Sequence, residues 1–283
     1  MDYYIIIPAH NEEAFLEGAL NTILSQTLAP KKVILVNDNS TDSTEAIMDK
    51  FIEKASFFNK LNTTSSTEHM PGSKVINAFN KGLNLLDDNF DFIVKLDADI
   101  LLPDNYFETI ATTFKLNKNA GVVGGFIYEK NKKGEWKLNH PMNKDHVRGA
   151  FKAYSKKCFK SIGGLKNAMG WDTVDELLVQ YHGYKIVTLD NLHVKHLRPI
   201  GGAYNKKAKL LQGKAMYTMR YGYLITLIAS IKMAVKQGKT NAFFDNMNGF
   251  KKAKKEKALY LVTPEEGQYI RNLRWKGIKK QIF

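Results

Sequence analysis

At 283 residues, with 44% apolar and 25% charged side chains, the chain has ordinary globular composition and can bury the core of one large domain, or of a domain with a sizeable appendage. Its single cysteine, Cys158, excludes an intramolecular disulfide and points to a reducing compartment, and the apolar opening at Tyr3 has no basic lead or small-residue cleavage site of a signal peptide. The net charge of +14 is carried entirely by the last part of the chain: residues 1–200 hold 24 basic and 24 acidic side chains, residues 201–283 hold 18 and 4.

Taken in chain order, Tyr3–Ile7 reads as a strand stopped by Pro8, and Ala14, Leu16, Ala19, Leu20, Ile23 and Leu24 fall mainly on one helical face. Val33–Val36 is a second apolar strand, and Asn39-Ser40-Thr41-Asp42 offers caps for a helix through Ile47 and Phe51. Val75–Leu86 is helical, Phe92–Leu96 is a buried strand, and Asn105–Leu116 is helical again. Strand–helix alternation at this spacing predicts a mostly parallel sheet through about residue 115.

The pattern then loosens. Gly121–Tyr128 and Val147–Tyr154 look extended, Thr173–Tyr181 helical, and Lys185–Leu189 suits a last strand. Long helical stretches dominate from Lys206. The uncharged run Tyr221–Ile231 is too short to cross a bilayer, which needs roughly 20 apolar residues; it reads as a core helix or an interfacial one.

Chemistry concentrates where strands end. Asp97-Ala98-Asp99 follows Phe92–Leu96, and two acids one residue apart in an open turn can both reach a divalent cation, although the same residues also cap helices and shape turns. Pro8-Ala9-His10-Asn11-Glu12-Glu13 follows the first strand and Asn37-Asp38-Asn39-Ser40-Thr41-Asp42 the second, so three acid-bearing loops face one cleft at the carboxyl rim of the predicted sheet. A fourth acidic segment, Gly170-Trp171-Asp172-Thr173-Val174-Asp175-Glu176, comes much later.

The opening "IPAHNEE", the turn "VNDNSTDST", the pair "LDAD" and the late "GWDTVDE" occur in the order and rough spacing of glycosyltransferase family 2, which the chain resembles over about residues 3–200. The resemblance implies the GT-A fold, a mixed, mostly parallel sheet flanked by helices, with residues 1–204 as catalytic domain and 205–283 as a basic helical extension. It implies sugar transfer from a nucleoside-diphosphate donor to a hydroxyl of a glycan or lipid-linked saccharide, dependent on Mn²⁺ or Mg²⁺ and inverting by single displacement. By position, Pro8, Ala9, Asn11, Glu12, Asp38, Lys74, Asp97 and Arg198 would meet the donor. Asp99, with Asp97 and His196, would hold the cation. Asp172 would be the general base with Asp175 as the alternative one helical turn away, and Trp171 and Arg148 are acceptor-side candidates. The family's usual "ED" pair reads Trp171-Asp172 here, and Phe79 stands where the family often has arginine.

The cluster Lys251–Lys257 suits a solvated helix face, attachment to an anionic membrane or contact with nucleic acid. The implied location is cytoplasmic, with peripheral attachment to the inner membrane face. Two rival classes remain. A nucleotidyltransferase needs a glycine-rich basic loop that Pro8–Glu13 lacks, and a nucleic-acid-binding protein is disfavoured by the acids on a charge-balanced body.

Overall fold

In the computed structural model, the described residues are 1–64, 72–139, 146–198 and 209–282. They fall into two compact units, the first within Met1–His69, Lys74–Leu165 and His182–Ile200, the second within Met70–Ser73, Lys166–Tyr181 and Gly201–Phe283. The expected boundary at 204/205 lies outside the described residues.

The first unit is built on β1 (Tyr3–Ala9), β2 (Lys32–Asp38), β3 (Phe58–Thr63), β4 (Phe92–Leu96), β5 (Ile100–Leu101), β6 (Ala120–Lys130), β7 (Trp136–Leu138), β8 (Phe151–Ser155) and β9 (Lys185–His196). Their order is β3-β2-β1-β4-β8-β6-β9-β5, with β7 paired to β6. Parallel pairing joins β3, β2, β1 and β4; β8 runs antiparallel to both β4 and β6, and β9 runs parallel to β6. The carboxyl ends of β1, β2, β4, β6 and β9 therefore point the same way.

The central strands are continuous apolar runs because both faces are covered. Every residue of β1 and of β4 is buried. Tyr3 stacks on Phe92 with ring centroids 4.8 Å apart, while its hydroxyl donates to Leu28 O at 2.6 Å, so the aromatic body stays in the core and its polar tip is satisfied. Around the sheet lie α1 (Leu16–Leu24), α2 (Thr44–Lys54), α3 (Ser73–Leu83), α4 (Tyr106–Leu116) and α5 (Lys156–Ser161), of which α3 begins with Ser73 of the second unit.

The sequence expectation lacks β3 and the short strands β5 and β7, and it ends β9 too early. The sequence FNKLNT forms β3, an edge strand whose Lys60 and Asn62 face the acidic side chains of α2: Lys60 Nζ donates to Glu45 Oε1 at 2.8 Å. The last strand does not stop at Leu189. Its register with β6 jumps from Gly125↔Leu189 to Phe126↔His193, so a bulge absorbs Asp190, Asn191 and Leu192 and pairing resumes to Glu129↔His196. His196 accordingly lies in β9, not after it.

The second unit contains α6 (Trp171–Tyr181), α7 (Lys209–Thr218), α8 (Tyr223–Gln237), α9 (Thr240–Lys255) and α10 (Pro264–Ile282). Backbone contact between α7 and α9 requires glycine: a Cβ on Gly213 would lie 1.9 Å from Asn246 O, and one on Gly249 would lie 2.0 Å from Leu210 O. No helix among the described residues is long and apolar enough to cross a membrane.

Candidate functional site

The site grows from the loops after β1 and β2, which are stitched together. Asn11 and Asn39 adopt left-handed backbone at φ 55° and 56°, a conformation asparagine tolerates. Asn11 N donates to Ser40 Oγ at 3.1 Å, and Asn11 Oδ1 accepts from Thr41 N at 2.8 Å. Glu12 N donates to Thr44 Oγ1 at 2.7 Å and Ser43 N to Glu13 Oε2 at 3.0 Å, while His10 Nδ1 lies 2.7 Å from Asp38 O. Pro8, Ala9 and Asp38 are buried at the two strand ends. The polar residues of these loops thus order each other first.

Beside them, Asp99 and His196 converge. Ile100 pairs with His196 across β5 and β9, and Leu197 N donates to Asp99 O at 2.9 Å, which places the histidine alongside the acidic turn. His196 Nε2 lies 3.2 Å from Asp99 Oδ2 and its Nδ1 lies 3.3 Å from Glu129 Oε1. Burial opposes charge on the imidazole, but the hydrogen bond and charge of Asp99 and the bond to Glu129 outweigh it, so the His196 pKa is raised. Burial works against ionisation of Asp99 as well; His196 and Arg198 overcome it and hold that carboxyl below its ordinary value.

Arg198 carries the charge network across to the first loop. Its Nη2 pairs with Glu12 Oε2, and its Nε lies 3.7 Å from Asp99 Oδ2. Glu12 is pushed up to about 7, first by burial and then by the charges of Asp99, Asp97 and Asp42, against the pull of Arg198. Asp97 is also raised, by burial and by Asp99, although Lys95 lowers it. Because 32% of the Asp97 side chain stays open to solvent, burial has limited leverage there.

Asp97, Asp99, His196, Arg198 and Glu12 are therefore gathered at one rim, with Asp38 and Asn11 in the adjoining stitched loops. Lys74 lies half-buried in the first turn of α3. Arg148, also in the first unit, donates from Nη2 to Asn139 Oδ1 at 3.2 Å. In the second unit Trp171 is buried and Asp172, in the first turn of α6, lines a pocket of about 290 Å³ with it, whereas Asp175 is only 1% exposed and accepts from Glu176 N at 2.6 Å.

Two participants escaped the sequence reading. Lys95 is buried in β4 and its ammonium turns to Asp97; a lone charge in an apolar strand was the available signal. Glu129 acts only through the strand register that sets it opposite His196, and no local motif announces it.

Among the described residues no group of three or more His, Cys, Asp or Glu is placed to hold a metal ion. The pair Asp99–His196 still fits a divalent cation. It offers one hard oxygen and one imidazole nitrogen, and its histidine is oriented from behind by a carboxylate, as metal-binding histidines commonly are. Cations of this class often take one or two protein ligands and complete their shell with substrate phosphates and water.

A family model described as Glycosyl transferase family 2 matches residues 4–190. The minor teichoic acid biosynthesis protein GgaB of Bacillus subtilis is 28% identical over 150 residues, covering 52% of this chain and 16% of that protein. Glycosyltransferase GlyA of Streptococcus pneumoniae is 25% identical over 231 residues, covering 78% of this chain and 30% of GlyA, so the chain spans well under half of these relatives. Among solved structures, S. aureus TarS 1–349 in complex with UDP-GlcNAc superposes with a TM-score of 0.56 at 18% identity, covering 76% of this chain and 67% of that one. The mannosyltransferase PcManGT of Pyrobaculum calidifontis, solved with GDP-Man and Mn²⁺, gives 0.57 at 16% identity, covering 99% and 80%. The mixed sheet is the GT-A fold of these neighbours.

Proposed function

The chain belongs to glycosyltransferase family 2, and from that membership we propose that it transfers a sugar from a nucleoside-diphosphate donor to a hydroxyl of a glycan or lipid-linked saccharide, with a divalent cation and with inversion at the sugar carbon. The observation that carries this reading is the rim where Asp99 meets His196, with Glu129 behind the imidazole and Arg198 beside the carboxylate. The nucleotide sugars in the TarS and PcManGT structures, and the Mn²⁺ in the latter, support the same reading.

In this reading Asp99 and His196 hold the cation, which when bound offsets the negative charge that builds on the departing diphosphate. Arg198 shifts from Glu12 to the diphosphate oxygens, where its planar fork matches paired acceptors. Lys95 keeps Asp97 in place for the ribose or the cation shell. Asp38, Asn11, Pro8 and Ala9 form the nucleotide-facing floor, with Lys74 as a further cation for the donor. Asp172 takes the proton from the acceptor hydroxyl. Its half-exposed place in a pocket favours it over the buried Asp175, because a base must come within hydrogen-bond reach of its proton.

The domain division at 204/205, the cytoplasmic location and the acceptor-side roles of Trp171 and Arg148 belong to the same proposal. Its test is a screen of UDP-, GDP-, dTDP- and CMP-sugars for thermal stabilisation and slow donor hydrolysis in Mn²⁺, Mg²⁺ or EDTA. At least one diphosphate donor should stabilise the protein in the presence of metal and lose that effect in EDTA. No response to any donor, or a response indifferent to EDTA, would refute the reading.

A further inference from the structure

The second unit holds two adjoining cavities. The smaller, about 290 Å³, contains Trp171 and Asp172; the larger, about 500 Å³, runs between α7, α8 and α10. Thr173, Gln212, Met216 and Tyr221 line both, so the space beside Asp172 continues into the larger one. A volume of this size is typical of small-molecule sites.

The larger cavity has aliphatic walls and a cationic lining. Ile225, Ile228, Leu273 and Ile278 supply the former, Lys232 and Arg274 the latter. Arg274 is fixed in position, because Tyr221 Oη accepts from its Nε at 3.1 Å and from its Nη2 at 2.7 Å. Such a lining suits a molecule with an aliphatic chain joined to an anion. A free sugar offers no chain to bury, and a free phosphate leaves the aliphatic walls wet.

The outer surface of α8 carries a second pointer, which shares Lys232 with the cavity. Leu224, Ile231 and Val235 are 60%, 49% and 77% exposed along the helix, and Lys232, Lys236 and Lys239 lie exposed on the same stretch. An apolar stripe beside lysines is the pattern of a helix resting at a bilayer interface. The surrounding segment 201–283, with 18 basic and 4 acidic residues, has the charge to match anionic headgroups.

We propose that this groove binds a phosphate-bearing lipid, its chain along α8 and its phosphate at Arg274 and Lys232, so that the acceptor is a lipid-linked phosphate whose hydroxyl-bearing end reaches the cavity of Asp172. This rests on the transferase reading above and narrows its acceptor class.

The test measures binding by titration calorimetry with farnesyl phosphate, farnesol, inorganic phosphate and phosphatidylglycerol vesicles, alongside the best donor nucleotide. Farnesyl phosphate should bind at least tenfold more tightly than farnesol or inorganic phosphate. Arg274→Gln should weaken it tenfold or more, and Ala229→Phe, which places a ring in the groove while leaving both cationic residues unchanged, should do the same. Both variants should keep the melting temperature and donor affinity of the parent. Equal affinity for all three small probes, or farnesyl phosphate binding unchanged in Ala229→Phe, would overturn the proposal. So would vesicle binding with no farnesyl phosphate binding, which would indicate surface attachment alone. Donor binding without lipid-phosphate binding would remove this inference and leave the transferase reading intact; lipid-phosphate binding without any donor binding would remove the transferase reading and the acceptor role with it.

Discussion

Glu129 Oε1 sits 3.3 Å from the Nδ1 of His196, on the side of the ring opposite Asp99. An acid behind an imidazole fixes the ring's orientation and raises its basicity. Glu129→Gln should therefore weaken Mn²⁺ binding by roughly 10- to 100-fold while leaving nucleotide binding without metal unchanged. Asp99→Ala should abolish Mn²⁺ binding and turnover together. Calorimetric titration of Mn²⁺ into each variant with a nucleoside diphosphate present reads both; wild-type metal affinity in Glu129→Gln would deny the acid this role.

Glu12 gives the protein a pH signature. Its folded pKa, about 7, lies above the ordinary 4.5, so between these values the native state binds more proton than the unfolded chain. Stability from this group is full below about pH 4.5, declines as pH rises towards 7, and levels off above it, by up to about 3 kcal/mol. Glu12→Gln should flatten that decline in urea unfolding at pH 5 and pH 8 in EDTA. A slope identical to the parent's would mean that Glu12 ionises normally.

Asp172 and Asp175 should separate cleanly. Asp172→Asn should keep donor binding and the melting temperature but lower kcat by about 10²–10⁴-fold, the range of a lost general base. Asp175→Asn should act mainly on stability, since that carboxylate is 1% exposed and engaged with the backbone of its own helix. Normal transfer by Asp172→Asn, with transfer lost in a folded Asp175→Asn, would reverse the assignment.

Crossing helices make the fourth prediction. Gly249→Ala would thrust a methyl group to 2.0 Å from Leu210 O, and Gly213→Ala one to 1.9 Å from Asn246 O. The backbones must part, and each variant should lose about 1–3 kcal/mol or more. Thermal melts compare them with Gly277→Ala, where a Cβ meets nothing within 4 Å and helix propensity favours alanine.

Much of the sheet is written in composition. The runs at Tyr3, Val33 and Phe92 read as buried strands and fold as such, and each ends on the loop that carries the polar cluster. What stayed hidden depends on pairing. Phe58–Thr63 has the polar content of a loop and becomes a strand because β2 offers an edge and α2 offers acids to Lys60. Asp190-Asn191 looks like a turn after a finished strand, yet the bulge lets β9 continue and delivers His196. Asp99 was visible from its spacing, Glu129 invisible because its partner lies 67 positions away. Asn11 looked like a ligand, and in the folded chain much of its hydrogen-bonding capacity, like that of Glu13, already joins one loop to the next.

That stitching bears on recognition itself. Loops that must be frozen by an incoming molecule subtract their lost freedom from its affinity. Here the turns after β1 and β2 are already locked to each other through Ser40, Thr41, Ser43 and Thr44. On the proposed reading, a nucleotide arriving at this edge would meet a shelf whose turns are already ordered, and selectivity among bases would fall to shape complementarity with it.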